Sequence, residues 1–343
     1  MFAPERYRPI KTLALFSVLA MGACGKNPAG PSAPSPSGAP AQLSVSHVSY
    51  VDQSVRFAWV RPNEISTYAI EIGASPGATA RTVLTGDNGD FEVVSNLSPG
   101  ETFARVRARL ANGELSAPSN EVRFLVVDIR DFVQALFLAA GPYQSKLGGC
   151  SGLGLCDTST VLGFPRGTTI RARAWSGFNG ANLDALRATL LQASEAAGGA
   201  FTTTFELTDN SQPPAGTNEI SFGLMSSAGE CPAGVEACVN ISLLRAGVIR
   251  SARAWFSATF SADPLRTSSF SHEVAHGVLG LRHLDSESVG GDQASIMSTR
   301  PGGTIGLPSV LTPLDFAAVR WVYEAGFGGG STAGELRASD RIH

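Results

Sequence analysis

Three of the five histidines fall in one short window, Ser271-His272-Glu273-Val274-Ala275-His276-Gly277-Val278-Leu279-Gly280-Leu281-Arg282-His283. His272 and His276 are four apart, so on a helix they stand one above the other on one face. This spacing constrains the fold more than any other feature. It requires a helix, and it requires the rest of the chain to scaffold what that face presents. Two imidazoles so placed can grip one metal ion, and Glu273, beside the first, can reach a water held there. In a chain so poor in histidine the pattern arises by chance on the order of once in a few hundred.

The chain has 343 residues, room for about two domains. It is 43% hydrophobic and 16% charged, with a net charge of -3, which suits a mostly globular protein. It lacks the Lys/Arg excess on which nucleic-acid binding runs, so no nucleic-acid partner is expected.

Residues 1–23 read as a signal peptide. Arg6, Arg8 and Lys11 form a basic start, and Leu13 to Ala23 is apolar but too short to span a bilayer comfortably. Met21-Gly22-Ala23-Cys24 resembles a bacterial lipobox, with Met21 where Leu is usual. The resemblance implies that Cys24 is lipidated and anchors an exported chain to a membrane, outside the cytoplasm, at the outer membrane or cell surface. The alternative is an ordinary cleaved signal peptide with an incidental cysteine. Residues 24–40 carry that Cys and a Pro/Ser/Gly-rich tract that cannot bury a core, hence an extended tether. Four further cysteines remain, an even number that favours disulfides in an exported chain. Close spacing selects Cys150–Cys156 and Cys231–Cys238 as clips on two loops. A zinc site of all four is the alternative, against which the lack of a C-x-x-C spacing counts.

Residues 41–127 read as short strands between turns. Val55 to Trp59, Thr67 to Ile72 and Thr102 to Leu110 alternate, with Phe103, Val106 and Ala108 in the middle of the last. Turn residues fall at Ser75-Pro76-Gly77, Asp87-Asn88-Gly89 and Ser98-Pro99-Gly100. This predicts an all-β sandwich. Trp59, the Leu97-Ser98-Pro99-Gly100 turn and the Ser116 to Val122 strand entry resemble the fibronectin type III fold, except that Phe103 stands where a corner Tyr is usual. The domain is expected to act as a spacer, and no residue in it singles itself out for binding.

Residues 128–326 predict an α+β domain. Asp131 to Ala140 and Asn182 to Ala197 read as helices, the second with Leu183, Leu186, Leu190 and Leu191 on one side. Strands are expected at Thr168–Trp175, Phe201–Leu207 and Glu219–Leu224. Val239–Leu244 and Val248–Ala258 should pair across Arg245-Ala246-Gly247.

Two features extend the histidine window. Gly280-Leu281-Arg282-His283 follows at Gly-x-x-His spacing, and Ser295-Ile296-Met297-Ser298 looks like a Met-turn. Thr312-Pro313-Leu314-Asp315 then starts a helix. Together these resemble the metzincin metalloproteases. The resemblance implies one catalytic Zn2+ held by His272, His276 and His283, with Glu273 as general base and Met297 as structural support. It also implies a protein or peptide substrate lying antiparallel along an edge strand, for which Val239–Leu244 is the candidate. One residue departs from the pattern. Gly280 and His283 lie four and seven after His276, where the family has three and six. An extra helical residue turns the chain by about 100° and advances it about 1.5 Å. A π-bulge or a loosened last turn at Gly277 would absorb it. Asp285, or a distant carboxylate on a two-His site, is the alternative third ligand.

The whole reads as a multidomain, membrane-anchored zinc endopeptidase, expected to be monomeric. The alternative is a non-catalytic surface binding lipoprotein with a degenerate zinc site. Residues 327–343, opening on a glycine run, are expected to be a disordered tail.

Overall fold

The computed structural model describes residues 38–62, 67–86, 89–138, 159–209, 216–226, 230–232, 234–285, 295–299 and 308–337. Cys24, Cys150, Cys156 and the Asp87-Asn88 turn lie outside them, as does the side chain of Asp285.

Seven strands form two sheets facing one another. β1 (Ala41–Ser49), β2 (Ser54–Val60) and β5 (Phe91–Val94) make one, in the order β1-β2-β5. β3 (Thr67–Gly73), β4 (Arg81–Leu84), β6 (Gly100–Arg109) and β7 (Val122–Val126) make the other, in the order β4-β3-β6-β7. All pairings are antiparallel. Alternate residues turn inward, as a two-residue period demands. Val55, Phe57 and Trp59 meet Tyr68, Ile70, Ala104, Val106 and Ala108 in one buried cluster. The inward set Ala104-Val106-Ala108 puts Phe103 on the other face of β6, opposite Gly73. Phe103, where a corner Tyr is usual, is buried on that other face. His47 of β1 is half-buried, and its Nε2 donates to the Leu125 carbonyl at 3.2 Å.

The second part is built on a mixed five-stranded sheet. Its strands are β8 (Thr168–Trp175), β9 (Phe201–Thr208), β10 (Glu219–Leu224), β11 (Ala237–Arg245) and β12 (Val248–Phe256), ordered β11-β12-β10-β8-β9. β8, β9, β10 and β12 run parallel. β11 returns from the sheet antiparallel to β12, as the expected hairpin, and so forms one edge. α1 (Ile129–Leu138) precedes the sheet, and α2 (Gly180–Ala196) crosses from β8 to β9. α3 (Ala258–Ser261) and α4 (Thr267–Leu279) follow β12. The short strands β13 (Leu284–Asp285) and β14 (Ser298–Thr299) pair in parallel, before α5 (Pro313–Glu324) and α6 (Ala333–Arg337).

Asn179 caps α2, its side-chain oxygen accepting from the Asn182 N–H. Leu183, Leu186 and Leu190 are buried as expected, but Leu191 points to solvent, and Ala193 takes the inward place. Ile170, Ala172, Ala174, Ile220, Phe222, Ala252, Ala254 and Phe256 of the sheet meet Phe270, Val274 and Val278 of α4 in the second core. Gly277 lets α4 approach the sheet, since a Cβ there would collide with Ile220. Cys231 and Cys238 form a disulfide at the start of β11.

The segment after Phe327 is ordered as far as Arg337, against the expectation of a disordered tail. Gly329 rests on the backbone of Gly163, Gly330 N–H donates to Val161 O at 2.9 Å, and Val161 N–H donates to Ser331 O at 2.8 Å. Thr332 and Glu335 cap α6 reciprocally, and Ala333 and Leu336 enter the core. The glycines there serve close backbone approach rather than flexibility.

Candidate metal centre

α4 presents His272 and His276 on one face. The two Nε2 atoms are 3.0 Å apart. His283 arrives from beyond the helix end, its Nε2 lying 3.1 Å from that of His272 and 3.0 Å from that of His276. The structure therefore brings together all three histidines that the sequence singled out.

The Nδ1 atoms fix the tautomers. His272 Nδ1 lies 2.7 Å from the carbonyl oxygen of Ile296, and His276 Nδ1 lies 2.5 Å from that of Leu281. A carbonyl only accepts, so both Nδ1 atoms carry hydrogen and both Nε2 atoms turn bare lone pairs toward one another. Burial keeps the rings neutral at physiological pH. It pushes the pKa of His272 down to about 4 and, with the charge of His272, that of His283 down to about 3. His276 is lowered well below its ordinary value, by burial and then by the other two imidazoles. Facing lone pairs at this separation repel unless a cation sits among them. Three neutral imidazole nitrogens on one point form the donor set that tetrahedral zinc takes, with a fourth position left open.

The extra residue is accommodated where the helix closes. α4 stays α-helical to Leu279, and Gly280 ends it in the left-handed conformation at φ 66°. The Gly280 N–H reaches both His276 O and Ala275 O, the second a π-type span. Leu281 N–H donates back six residues to Ala275 O at 3.2 Å, where an ordinary Schellman ending reaches back five. This widened turn also delivers the Leu281 carbonyl to His276. Gly280 is required twice over, because a Cβ would meet the Leu162 backbone as well as an unfavourable φ.

Glu273, next to His272 in the chain, is buried, and burial lifts its carboxyl to about 8. A cation at the histidines would draw that value down again. Met297 is fully buried, in a turn held from several sides. Leu284 N–H donates to Met297 O at 3.0 Å, and Met297 N–H to Ser295 Oγ at 3.0 Å. Asp315, the third residue of α5, reaches back into this turn. Its carboxylate accepts from Ser295 Oγ, from Ile296 N–H at 2.9 Å and from Thr312 Oγ1 at 2.9 Å. The chain Asp315–Ile296–His272 thus connects the cap of α5 to the first histidine. Sequence reasoning found Asp315 as a helix cap and missed this support. The capping pattern was the readable signal, and the long-range partner was not.

No protein-family model matches the sequence, and no curated protein matches it. Solved structures similar to it include domains A168–A170 of titin, at 27% identity over 26% of this chain and 31% of that one, TM-score 0.22. An Fn3-like protein from Clostridium thermocellum matches at 17% identity over 26% of this chain and 91% of its own, TM-score 0.22. An FN3 domain of human collagen XX matches at 24% identity over 26% and 90%, TM-score 0.22. The chain thus spans about a third of the titin fragment and nearly all of the two single domains. The strand orders β1-β2-β5 and β4-β3-β6-β7 make a 3 + 4 sandwich of fibronectin type III-like arrangement.

Proposed function

We propose that the chain is a zinc-dependent endopeptidase, metzincin-like in its second part, held outside the cytoplasm by a lipid on Cys24. The observation that carries the reading is the meeting of three neutral imidazole nitrogens, with a buried glutamate next to His272 in the chain. The sheet supports it, because β11 is an antiparallel edge onto which an extended peptide can add as a further strand. No helix among the described residues is long and apolar enough to cross a membrane.

His272, His276 and His283 would hold the ion, and the Ile296 and Leu281 carbonyls orient two of the rings. A bound zinc ion supplies Lewis acidity, lowering the pKa of a water toward about 7 and polarising the scissile carbonyl. Glu273 takes the proton from the attacking water and passes it to the leaving amine. Met297 supports the site from within the core and touches no reacting atom.

The test is metal analysis of the full chain, followed by hydrolysis of an unfolded protein with and without chelator. Zinc near one per chain, with hydrolysis lost in Glu273→Ala while zinc is kept, supports the reading. Absence of zinc, or unchanged hydrolysis in that variant, overturns it in favour of a non-catalytic surface module.

A further inference from the structure

His283 is the ligand that the extra residue displaces, and the helix carrying the other two histidines ends before it. Its position is set by its neighbours. On one side Leu284 N–H is tied to Met297 O. On the other side Arg282 is buried, with 4% of its surface exposed, and it faces the end of α1. Arg282 N–H donates to Leu136 O at 2.8 Å, and its guanidinium Nε donates to Phe137 O at 2.9 Å.

These two carbonyls belong to the last described turn of α1. The two bonds hold the segment Leu281–His283 at a fixed height against that turn.

α1 is itself anchored in the sandwich without a linker. Val126, the last residue of β7, is buried in the sandwich core, and Val127, the next, is buried in the second core. Asp128 then caps the helix, its Oδ1 accepting from Arg130 N–H at 2.8 Å. Tyr50 and Leu125 of the sandwich also pack on the second core. His47 stacks on Tyr50 with ring centroids 5.0 Å apart.

We propose that Arg282 is a positioning residue for His283, clasping the last-turn carbonyls of α1 so that the sandwich-anchored helix holds the third imidazole in place. The sandwich is then part of the site's support rather than a spacer. This inference rests on the zinc reading above.

The test uses the full chain and three variants, Arg282→Gln, Arg282→Lys and His283→Ala, read by zinc affinity and by the visible spectrum after cobalt(II) substitution. Arg282→Gln should weaken zinc binding by roughly 10- to 100-fold, the range for outer-shell partners of metal ligands. Its cobalt spectrum should shift toward that of His283→Ala, with Arg282→Lys between it and the unaltered chain. Combined with His283→Ala, Arg282→Gln should cost nothing further. Unchanged zinc affinity and cobalt spectrum in Arg282→Gln would overturn the proposal. So would an equal loss of affinity with and without His283. Should Arg282→Gln not fold, the same comparisons with Arg282→Lys decide it. If the unaltered chain binds no zinc, the metal reading and this inference fall together, whereas zinc bound equally with and without the Arg282 guanidinium removes this inference alone.

Discussion

At the scale of single residues, the polar groups of the site are arranged as donors and acceptors around an internal turn. Asp315 shows how much rests on one carboxylate. It is fully buried, and burial outweighs its hydrogen bonds and raises its pKa. Asp315→Ala would leave the Ile296 and Thr312 N–H groups and the Ser295 hydroxyl without their acceptor. Each orphaned buried donor costs about 1–3 kcal/mol, so a loss of at least about 3 kcal/mol is expected in denaturant unfolding. Zinc affinity should fall as well, because Ile296 orients His272. A variant of wild-type stability would remove Asp315 from the support of the turn. The sequence made the three histidines and Glu273 legible because their spacing is local. It hid the partners of Arg282, 145 residues away at Phe137, and those of Asp315, 19 and 20 residues away at Ile296 and Ser295, because neither contact leaves a local pattern.

At the scale of elements, the end of α4 and the segment after Phe327 are the instructive cases. The count between His276 and His283 predicted a distortion, and the structure has one, in the closing turn instead of the helix body. Gly280→Ala should test this turn. The left-handed φ and the approach of Leu162 both oppose a Cβ, so a destabilisation above about 1 kcal/mol is expected, with weakened zinc binding because the Leu281 carbonyl moves. Equal stability and equal zinc affinity would show that the turn is not held by that glycine. The glycine run at 328–330 was misread because flexible linkers and close backbone contacts use the same residue. The Thr332-x-x-Glu335 capping pattern was the available signal for order. A chain ending at Phe327 should lose Leu336 and Ala333 from the core together with the bonds to Val161. Its thermal midpoint should drop by several degrees, and an unchanged midpoint would return the segment to the status of a tail.

At the scale of the whole molecule, Val126 and Val127 join two cores with no intervening linker, and the candidate metal site lies in the second. The buried titratable groups there give the metal-free chain a pH dependence with two opposing arms. The histidines have folded pKa values below their ordinary 6.5, so the unfolded chain binds more protons as pH falls below 6.5. Their contribution to stability is present above that value and is lost toward about pH 4. Glu273 works the other way. Its folded pKa of about 8 lies above the unfolded 4.5, so its contribution is full below 4.5 and is lost as pH rises to about 8. Glu273→Gln removes only the second arm. In chelator, the thermal midpoint of that variant relative to the unaltered chain should therefore climb steadily from pH 4.5 to pH 8. Added zinc should weaken this dependence. A cation beside Glu273 favours its ionised form, so the climb should flatten, while both midpoints rise by mass action at neutral pH and that rise fades below pH 5 as protons compete for the imidazoles. A pH-independent difference between the two proteins in chelator would mean that Glu273 is not held in a desolvated site. A climb that zinc leaves unaltered would mean that the ion does not sit within reach of it.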